Sequence, residues 1–230
     1  MTVLRRNTKA IAMPSCDRIR RMSAWEDLKQ TPIDEVRRRA AIVDQWNDIE
    51  SVEVPGGTRY AWNDGGGQSS GWFFADDGKV LLLTYEHESV LNFYDGDYAA
   101  QLEVFKGVPA ELVALVANRP ENYEFHNVTE TSTGQTLPHA SGVFWFDGAS
   151  WHIADGLLTY CERNGIALFG GTGFSHDVGF DYTVGDCLFG REFTPEAVIA
   201  EQVANGWYEE AGEKEEALER LRAVFDTYAH

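Results

Sequence analysis

The stretch GWFFADDGKVLLLTYEHE, residues 71–88, contains the most apolar run of the chain and decides its fold. Its aromatic half and its leucine-rich half are separated by ADDGK, where Gly78 can adopt the positive φ of a tight turn. Valine, leucine and aromatic residues on both sides of such a turn favour strands. The stretch therefore predicts a buried antiparallel hairpin, with one strand beginning near Trp72 and the other covering VLLLTYEHE.

A second stretch, GVFWFDGASWHIADG at 142–156, repeats this pattern, with apolar and aromatic residues on both sides of an Asp-Gly turn. Each predicted hairpin is later followed by a helix that begins with proline, at 109–118 and 195–205. Such local parallels also arise by chance, and we predict a single α+β domain over 23–230. The alternative is a degenerate internal repeat with two lobes, 23–120 and 121–230.

Helix-start signals surround the hairpins. Thr31 precedes Pro32 and is expected to be an N-cap, as are Asp155 and Thr194. The apolar tetrapeptide IALF at 166–169 is expected to be a short buried strand. In total the sequence predicts about six or seven strands and about six helices, which is an α+β fold with helices packed on a mostly antiparallel twisted sheet.

Acidic residues dominate the chain, whose formal net charge is −18. Residues 1–40 carry a net charge of +5 and the remaining 190 residues carry −23. A body this acidic repels nucleic-acid phosphates and anionic membrane surfaces, and it steers basic partners toward itself. We therefore expect a basic protein partner and no direct contact with nucleic acid or a membrane.

Cysteine usage and the N-terminal segment bear on location. Cys16, Cys161 and Cys187 are widely spaced and form no CxxC pair, which disfavours a disulfide framework or a zinc ribbon. Residues 1–22 are basic without the apolar core of a secretory signal, and we expect them to form a flexible tail. No run approaches the roughly 18 apolar residues of a membrane span. These features favour a cytoplasmic protein without a metal or another cofactor.

The polar end of the first hairpin, TYEHE, combines two carboxylates with an imidazole. Alternation along a strand would place Glu86 and Glu88 on one face and His87 on the other, so the three could not converge on one metal ion. We interpret the glutamates as part of an acidic contact surface and His87 as a partly buried structural residue. The same surface is expected to include Tyr94, Asp95 and Asp97.

The segment WNDGGGQSSGW at 62–72 places a glycine- and serine-rich loop between two tryptophans. If either ring were exposed, Trp62 or Trp72 would be a natural anchor for a protein partner. The alternative is that both rings lie in the core and that the loop is merely solvated.

A glycine-rich segment at 170–187, GGTGFSHDVGFDYTVGDC, carries the densest mixture of reactive side chains and is a candidate functional loop. It lacks the spacing of phosphate-binding and nucleophile motifs. Our preferred interpretation assigns no catalytic residue. An alternative is a small-substrate hydrolase or transferase whose site gathers His152, Asp155, His176 and Asp177 at the end of the sheet.

The layout around WNDGGGQSSGWFFADDGKVLLL, preceded by capped helices, resembles that of SUKH-type immunity proteins of bacterial toxin systems. The resemblance covers about residues 30–120 and rests on element order rather than on a diagnostic motif. It implies a non-enzymatic cytoplasmic inhibitor that binds a toxin, and it carries over no site residue. A further alternative is a regulatory subunit whose acidic face mimics nucleic acid.

Overall fold

The computed structural model describes residues 24–49, 51–93, 97–119, 125–169, 178–208 and 212–229. Within these ranges an antiparallel sheet of six strands, a separate two-stranded sheet and eight α-helices confirm the predicted α+β class. None of the described helices is both long enough and apolar enough to cross a membrane.

The element bounds are as follows. The strands are β1 (Val52–Val54), β2 (Gly57–Asn63), β3 (Gln68–Ala75), β4 (Val80–Glu86), β5 (Asn127–Thr129), β6 (Thr136–Pro138), β7 (Gly142–Phe146) and β8 (Trp151–Ile153). The helices are α1 (Ala24–Gln30), α2 (Ile33–Trp46), α3 (Tyr98–Val104), α4 (Ala110–Val113), α5 (Asp155–Asn164), α6 (Phe180–Thr183), α7 (Pro195–Ala204) and α8 (Glu213–Thr227), with a 3-10 turn at Gly185–Cys187.

The large sheet follows chain order, β1-β2-β3-β4-β7-β8, with every pair antiparallel. Both predicted hairpins are present: β3 and β4 turn at Gly78, which has a φ of 87°, and β7 and β8 turn at Asp147-Gly148. Strands β5 and β6 leave the sheet and pair with each other. Because β4 pairs directly with β7, with Leu82 opposite Phe144, the two proposed lobes share one sheet.

The core explains why the central strands lack polar alternation. Almost every residue of β3 and β4 is buried, so both faces of these strands are covered. Trp72 is 2% exposed and its ring lies 6.1 Å from that of Trp151 and 6.0 Å from that of Phe189. Helix α1 adds Trp25, whose ring centroid is 5.3 Å from that of Phe144.

Buried hydroxyl groups fasten the segment that follows residue 177 to the sheet. Thr84 on β4 donates a hydrogen bond of 2.6 Å to the Val178 carbonyl, and Ser70 on β3 donates one of 3.1 Å to the Thr183 carbonyl. Arg39 on α2 reaches the next carbonyls, those of Cys187 and Leu188. A segment that contains two short helical turns is thereby held in one position, because side chains satisfy several of its backbone acceptors.

Local predictions at element ends were partly wrong. Helix α2 begins at Ile33 with Pro32 as its N-cap, and the Thr31 hydroxyl instead donates to the Asp27 carbonyl in α1. Pro32 has a ψ of 139°, which is extended rather than helical, and the boundary therefore lies one position later than predicted. Asp155 is likewise the first residue of α5 rather than its cap.

Two strand predictions also differ from the structure. Residues 166–169 form no strand and are only partly buried, although the Phe169 ring stacks 5.7 Å from that of Trp25. Strand β3 begins at Gln68, earlier than predicted, because the Asp64 carboxylate accepts hydrogen bonds from the Gly66 and Gln68 amides and closes a tight turn.

Candidate functional site

The acidic end of β4 is built differently from the strand that TYEHE predicted. Strand β4 ends at Glu86, so alternation does not extend to Glu88. His87 is exposed rather than partly buried, and its Nδ1 lies 3.1 Å from the Glu88 carboxylate, which is not on the opposite face. Glu86 accepts hydrogen bonds from the Gln68 amide at 2.8 Å and from the Glu88 backbone at 3.2 Å. The glutamates are accessible, as a contact surface requires.

Of the other three residues predicted for this surface, Asp97 lies within the described ranges. Asp97 is the N-cap of α3, where its carboxylate accepts a hydrogen bond of 3.0 Å from the Ala100 amide. Tyr94 and Asp95 lie outside the described residues. The joint surface of these residues with Glu86 and Glu88 therefore stays a prediction.

The two candidate tryptophan anchors, Trp62 and Trp72, lie in different environments. Trp72 lies in the core, so the proposal that it is an exposed anchor is wrong for this conformation. Trp62 is 6% exposed, but its indole edge lines a surface cleft and donates a hydrogen bond of 3.2 Å to Asp186.

Two residues of the alternative enzyme site, His152 and Asp155, lie within the described residues. His152 Nε2 lies 2.8 Å from the Asp147 carboxylate, and its ring stacks on Trp145 with centroids 4.3 Å apart. Hydrogen bonds from the Ser150 backbone and from His152 lower the pKa of Asp147 to about 2. Asp155 begins α5 beside Gly107, while His176 and Asp177 lie outside the described residues. His152 and Asp155, the two described residues of this set, thus form no acid–base contact with each other. The four-residue site stays a prediction.

A cleft of about 280 Å³ lies on another part of the molecule, and we call it the tryptophan cleft. It forms where the end of α2 and the end of β2 meet the turn after α6, the end of α7 and helix α8. Its lining residues are Trp46, Asn47, Asp48, Trp62, Asp64, Tyr182, Gly185, Asp186, Gln202, Asn205, Trp207, Tyr208 and Arg220.

Asp186 is the central polar group of the tryptophan cleft. Its Oδ2 accepts hydrogen bonds from Trp62 Nε1 at 3.2 Å and from Gln202 Nε2 at 3.0 Å. The Gln202 carbonyl in turn accepts the Tyr208 hydroxyl at 2.6 Å, which fixes the orientation of the amide. Burial raises the pKa of Asp186, although the two hydrogen bonds act in the opposite direction.

A second carboxylate is coupled to an aromatic wall of the cleft. Tyr182 is exposed, its ring packs edge-on against Trp62 at 5.6 Å, and its hydroxyl donates to Asp64 Oδ2 at 3.2 Å. Burial, followed by the charge of Asp64, raises the pKa of Tyr182 to about 12. The phenol is therefore a neutral hydrogen-bond donor at physiological pH.

The rim of the cleft carries the opposite charge. The Arg220 guanidinium lies over the Trp46 ring, 5.1 Å from its centroid, and one of its nitrogens is 3.3 Å from the Asp48 carboxylate. Trp207 remains 45% exposed. With Asp48, Asp64 and Asp186 against Arg220, the lining holds three carboxylates and one guanidinium.

This arrangement offers a cation two kinds of contact. Aromatic faces attract cations, and carboxylates supply charge-assisted hydrogen bonds. Within the described residues, no group of three or more histidine, cysteine, aspartate or glutamate side chains could hold a metal ion.

Sequence reasoning identified only part of this cleft. Trp62 was a candidate, and Asp186 belongs to the candidate loop at 170–187. Gln202 and Trp207 were missed. The signal available was Trp207 after the Asn-Gly pair that ends α7, because tryptophan is rarely fully buried.

In comparisons with known proteins, no protein-family model, curated protein or solved structure matches the chain.

Proposed function

We propose that this protein binds a basic protein partner, such as a toxin domain, and neutralises it by occlusion, as an immunity protein does. The observation that carries the proposal is the tryptophan cleft, which is lined by three carboxylates, the exposed rings of Tyr182 and Trp207, and a single guanidinium. Tryptophan and tyrosine are enriched among the few residues that dominate the energetics of protein interfaces.

The charge of the whole chain supports the same function. A net charge of −18 raises the encounter rate with a basic domain before any contact forms. The exposed Glu88 and the partly exposed Glu86 would extend the acidic surface beyond the cleft. We place this activity in the bacterial cytoplasm, where an inhibitor would protect the cell that makes the toxin.

The test is a binding and neutralisation experiment with the basic domain encoded by a neighbouring gene. We expect a stoichiometric complex, loss of the toxic activity, and an association rate that falls by about tenfold or more as salt screens the charges. The double variant Asp48→Asn/Asp64→Asn should slow association. Glu162→Gln/Glu192→Gln, which removes two exposed acids outside the cleft, is the matched control.

A second pair of substitutions tests the surface predicted from TYEHE. Glu86→Gln/Glu88→Gln should reduce the association rate and its salt dependence if these residues face the partner. Unchanged kinetics would remove them from the interface. A complex that forms without reducing toxic activity would refute neutralisation by occlusion.

A further inference from the structure

We infer that the tryptophan cleft holds one arginine side chain of the basic partner, with Asp186 as the acceptor of its guanidinium group. This inference rests on the proposed function and adds the residue type that the cleft recognises.

The first argument concerns the charge of Asp186. Its two hydrogen-bond donors, Trp62 Nε1 and Gln202 Nε2, are neutral groups, and both reach Oδ2. A partly buried carboxylate is stabilised most by a cation that also donates hydrogen bonds. Within the described residues the cation of the cleft, Arg220, instead pairs with Asp48 at the rim. A guanidinium from the partner would supply the positive counter-charge that the Asp186 carboxylate lacks.

The second argument concerns the aromatic walls. Trp62 and Tyr182 meet edge-to-face at 5.6 Å, and the exposed Trp207 borders the same space. A flat, weakly hydrated guanidinium can stack on the exposed ring of Tyr182 or Trp207 while its edge meets a carboxylate. The Tyr182 hydroxyl is directed to Asp64, so a second carboxylate is held beside the aromatic pair.

The rim of the cleft already shows this mode of recognition. Arg220 stacks on Trp46 at 5.1 Å while it reaches Asp48 at 3.3 Å. Both charged side chains are largely exposed, so this pair is weakly held and can adjust when a partner docks. The chain itself thus places a guanidinium between an aromatic ring and a carboxylate, which favours arginine over lysine as the guest.

The direct test uses short peptides that carry one central arginine, lysine or citrulline and are otherwise identical. Citrulline keeps the planar shape of arginine but has no charge. We expect the arginine peptide to quench tryptophan fluorescence with saturation and to bind about tenfold more tightly than the other two peptides. Free arginine amide, added separately, distinguishes recognition of the side chain alone from recognition of a peptide.

Substitutions then place the guest in the cleft. Asp186→Asn keeps the shape and an acceptor for Trp62 and Gln202, and it should weaken arginine-peptide binding by about tenfold. Trp207→Ala should weaken binding as well. Glu162→Gln should leave the affinity unchanged, and thermal unfolding of each variant verifies that it is folded.

Three results would overturn the inference: equal affinity for the arginine and citrulline peptides, unchanged affinity in Asp186→Asn, or saturable binding of a neutral oligosaccharide in place of the cation. Its failure is distinct from failure of the proposed function. If the partner binds Asp186→Asn as tightly as the unmodified protein, the arginine site is wrong while neutralisation stands. If arginine peptides bind but no basic domain does, the reverse holds.

Discussion

His139 is a buried imidazole whose neutral form is built into the fold. Its Nε2 accepts the Phe93 backbone N–H at 2.8 Å, and its ring lies 5.3 Å from that of Tyr85. Burial lowers the pKa of His139 below its ordinary value of 6.5. The backbone N–H of Phe93 therefore depends on an acceptor that protonation would remove.

We predict that the free energy of unfolding falls as the pH drops below about 6.5, because the unfolded chain then binds a proton that folded His139 resists. Above this pH the contribution is fully present. His139→Gln keeps an acceptor that does not titrate. When the free energy of unfolding in urea is measured between about pH 7 and about pH 5, its slope against pH should therefore be smaller in this variant. An equal slope in both proteins would assign the pH dependence to other groups.

The pH dependence of stability that we expect from Asp186 has the opposite sign to that from His139. Because burial raises the pKa of Asp186 above 3.8, the folded protein holds the proton more tightly than the unfolded chain. Stability from this group is present below the unfolded pKa and is lost as the pH rises through the folded pKa. We predict that Asp186→Asn increases the thermal midpoint at neutral pH, with a smaller increase in mild acid, while Glu162→Gln shows neither change. A lower midpoint at neutral pH would mean that the charged hydrogen bonds from Trp62 and Gln202 outweigh burial.

The contact between α3 and α5 depends on a glycine. Gly156 donates its N–H to the Lys106 carbonyl at 3.0 Å, and a Cβ at this position would collide with the Glu103 carbonyl oxygen. We predict that Gly156→Ala destabilises the protein by about 1–3 kcal/mol, because backbone atoms must move apart. Chemical denaturation measures this cost.

Gly185→Ala is the matched control, since no atom lies within 4 Å of the added methyl group and its φ is not positive. It should change the free energy of unfolding by about 0.5 kcal/mol or less. Similar losses in the two variants would show that conformational freedom, rather than helix contact, makes Gly156 necessary.

Local sequence patterns predicted turns and helix starts well where one short segment contains the whole signal. The turns at Gly78 and Asp147-Gly148 and the helix capped by Thr194 are confirmed, because turn and cap residues act within a few positions. The prediction of a strand at 166–169 was wrong, since a short apolar run is equally typical of irregular chain that packs on a core. The burial predicted for His87 was wrong because the strand ends one residue before it.

The tryptophan cleft could not be predicted as a unit. Asp48, Trp62, Asp186, Trp207 and Arg220 come from distant parts of the chain, and they meet only after α2, α7 and α8 have packed around the turn that follows α6. The sequence indicated the candidate loop and one tryptophan. Which carboxylate would face which ring depends on tertiary packing, and no local pattern encodes that choice.

The acidic charge also affects the stability of the whole molecule. With a net charge of −18, mutual repulsion of surface carboxylates opposes the compact state. Raising the ionic strength from about 0.01 M to about 0.15 M shortens the screening length from about 30 Å to about 8 Å, so the repulsion weakens. We predict that the thermal midpoint rises over this range of sodium chloride. The rise should be smaller in a variant in which several exposed glutamates of α8 are changed to glutamine, such as Glu215, Glu216 and Glu219. A midpoint that is constant or falls with salt would mean that attractive pairs, such as Arg222 with Glu196 and Arg191 with Glu201, outweigh the net repulsion.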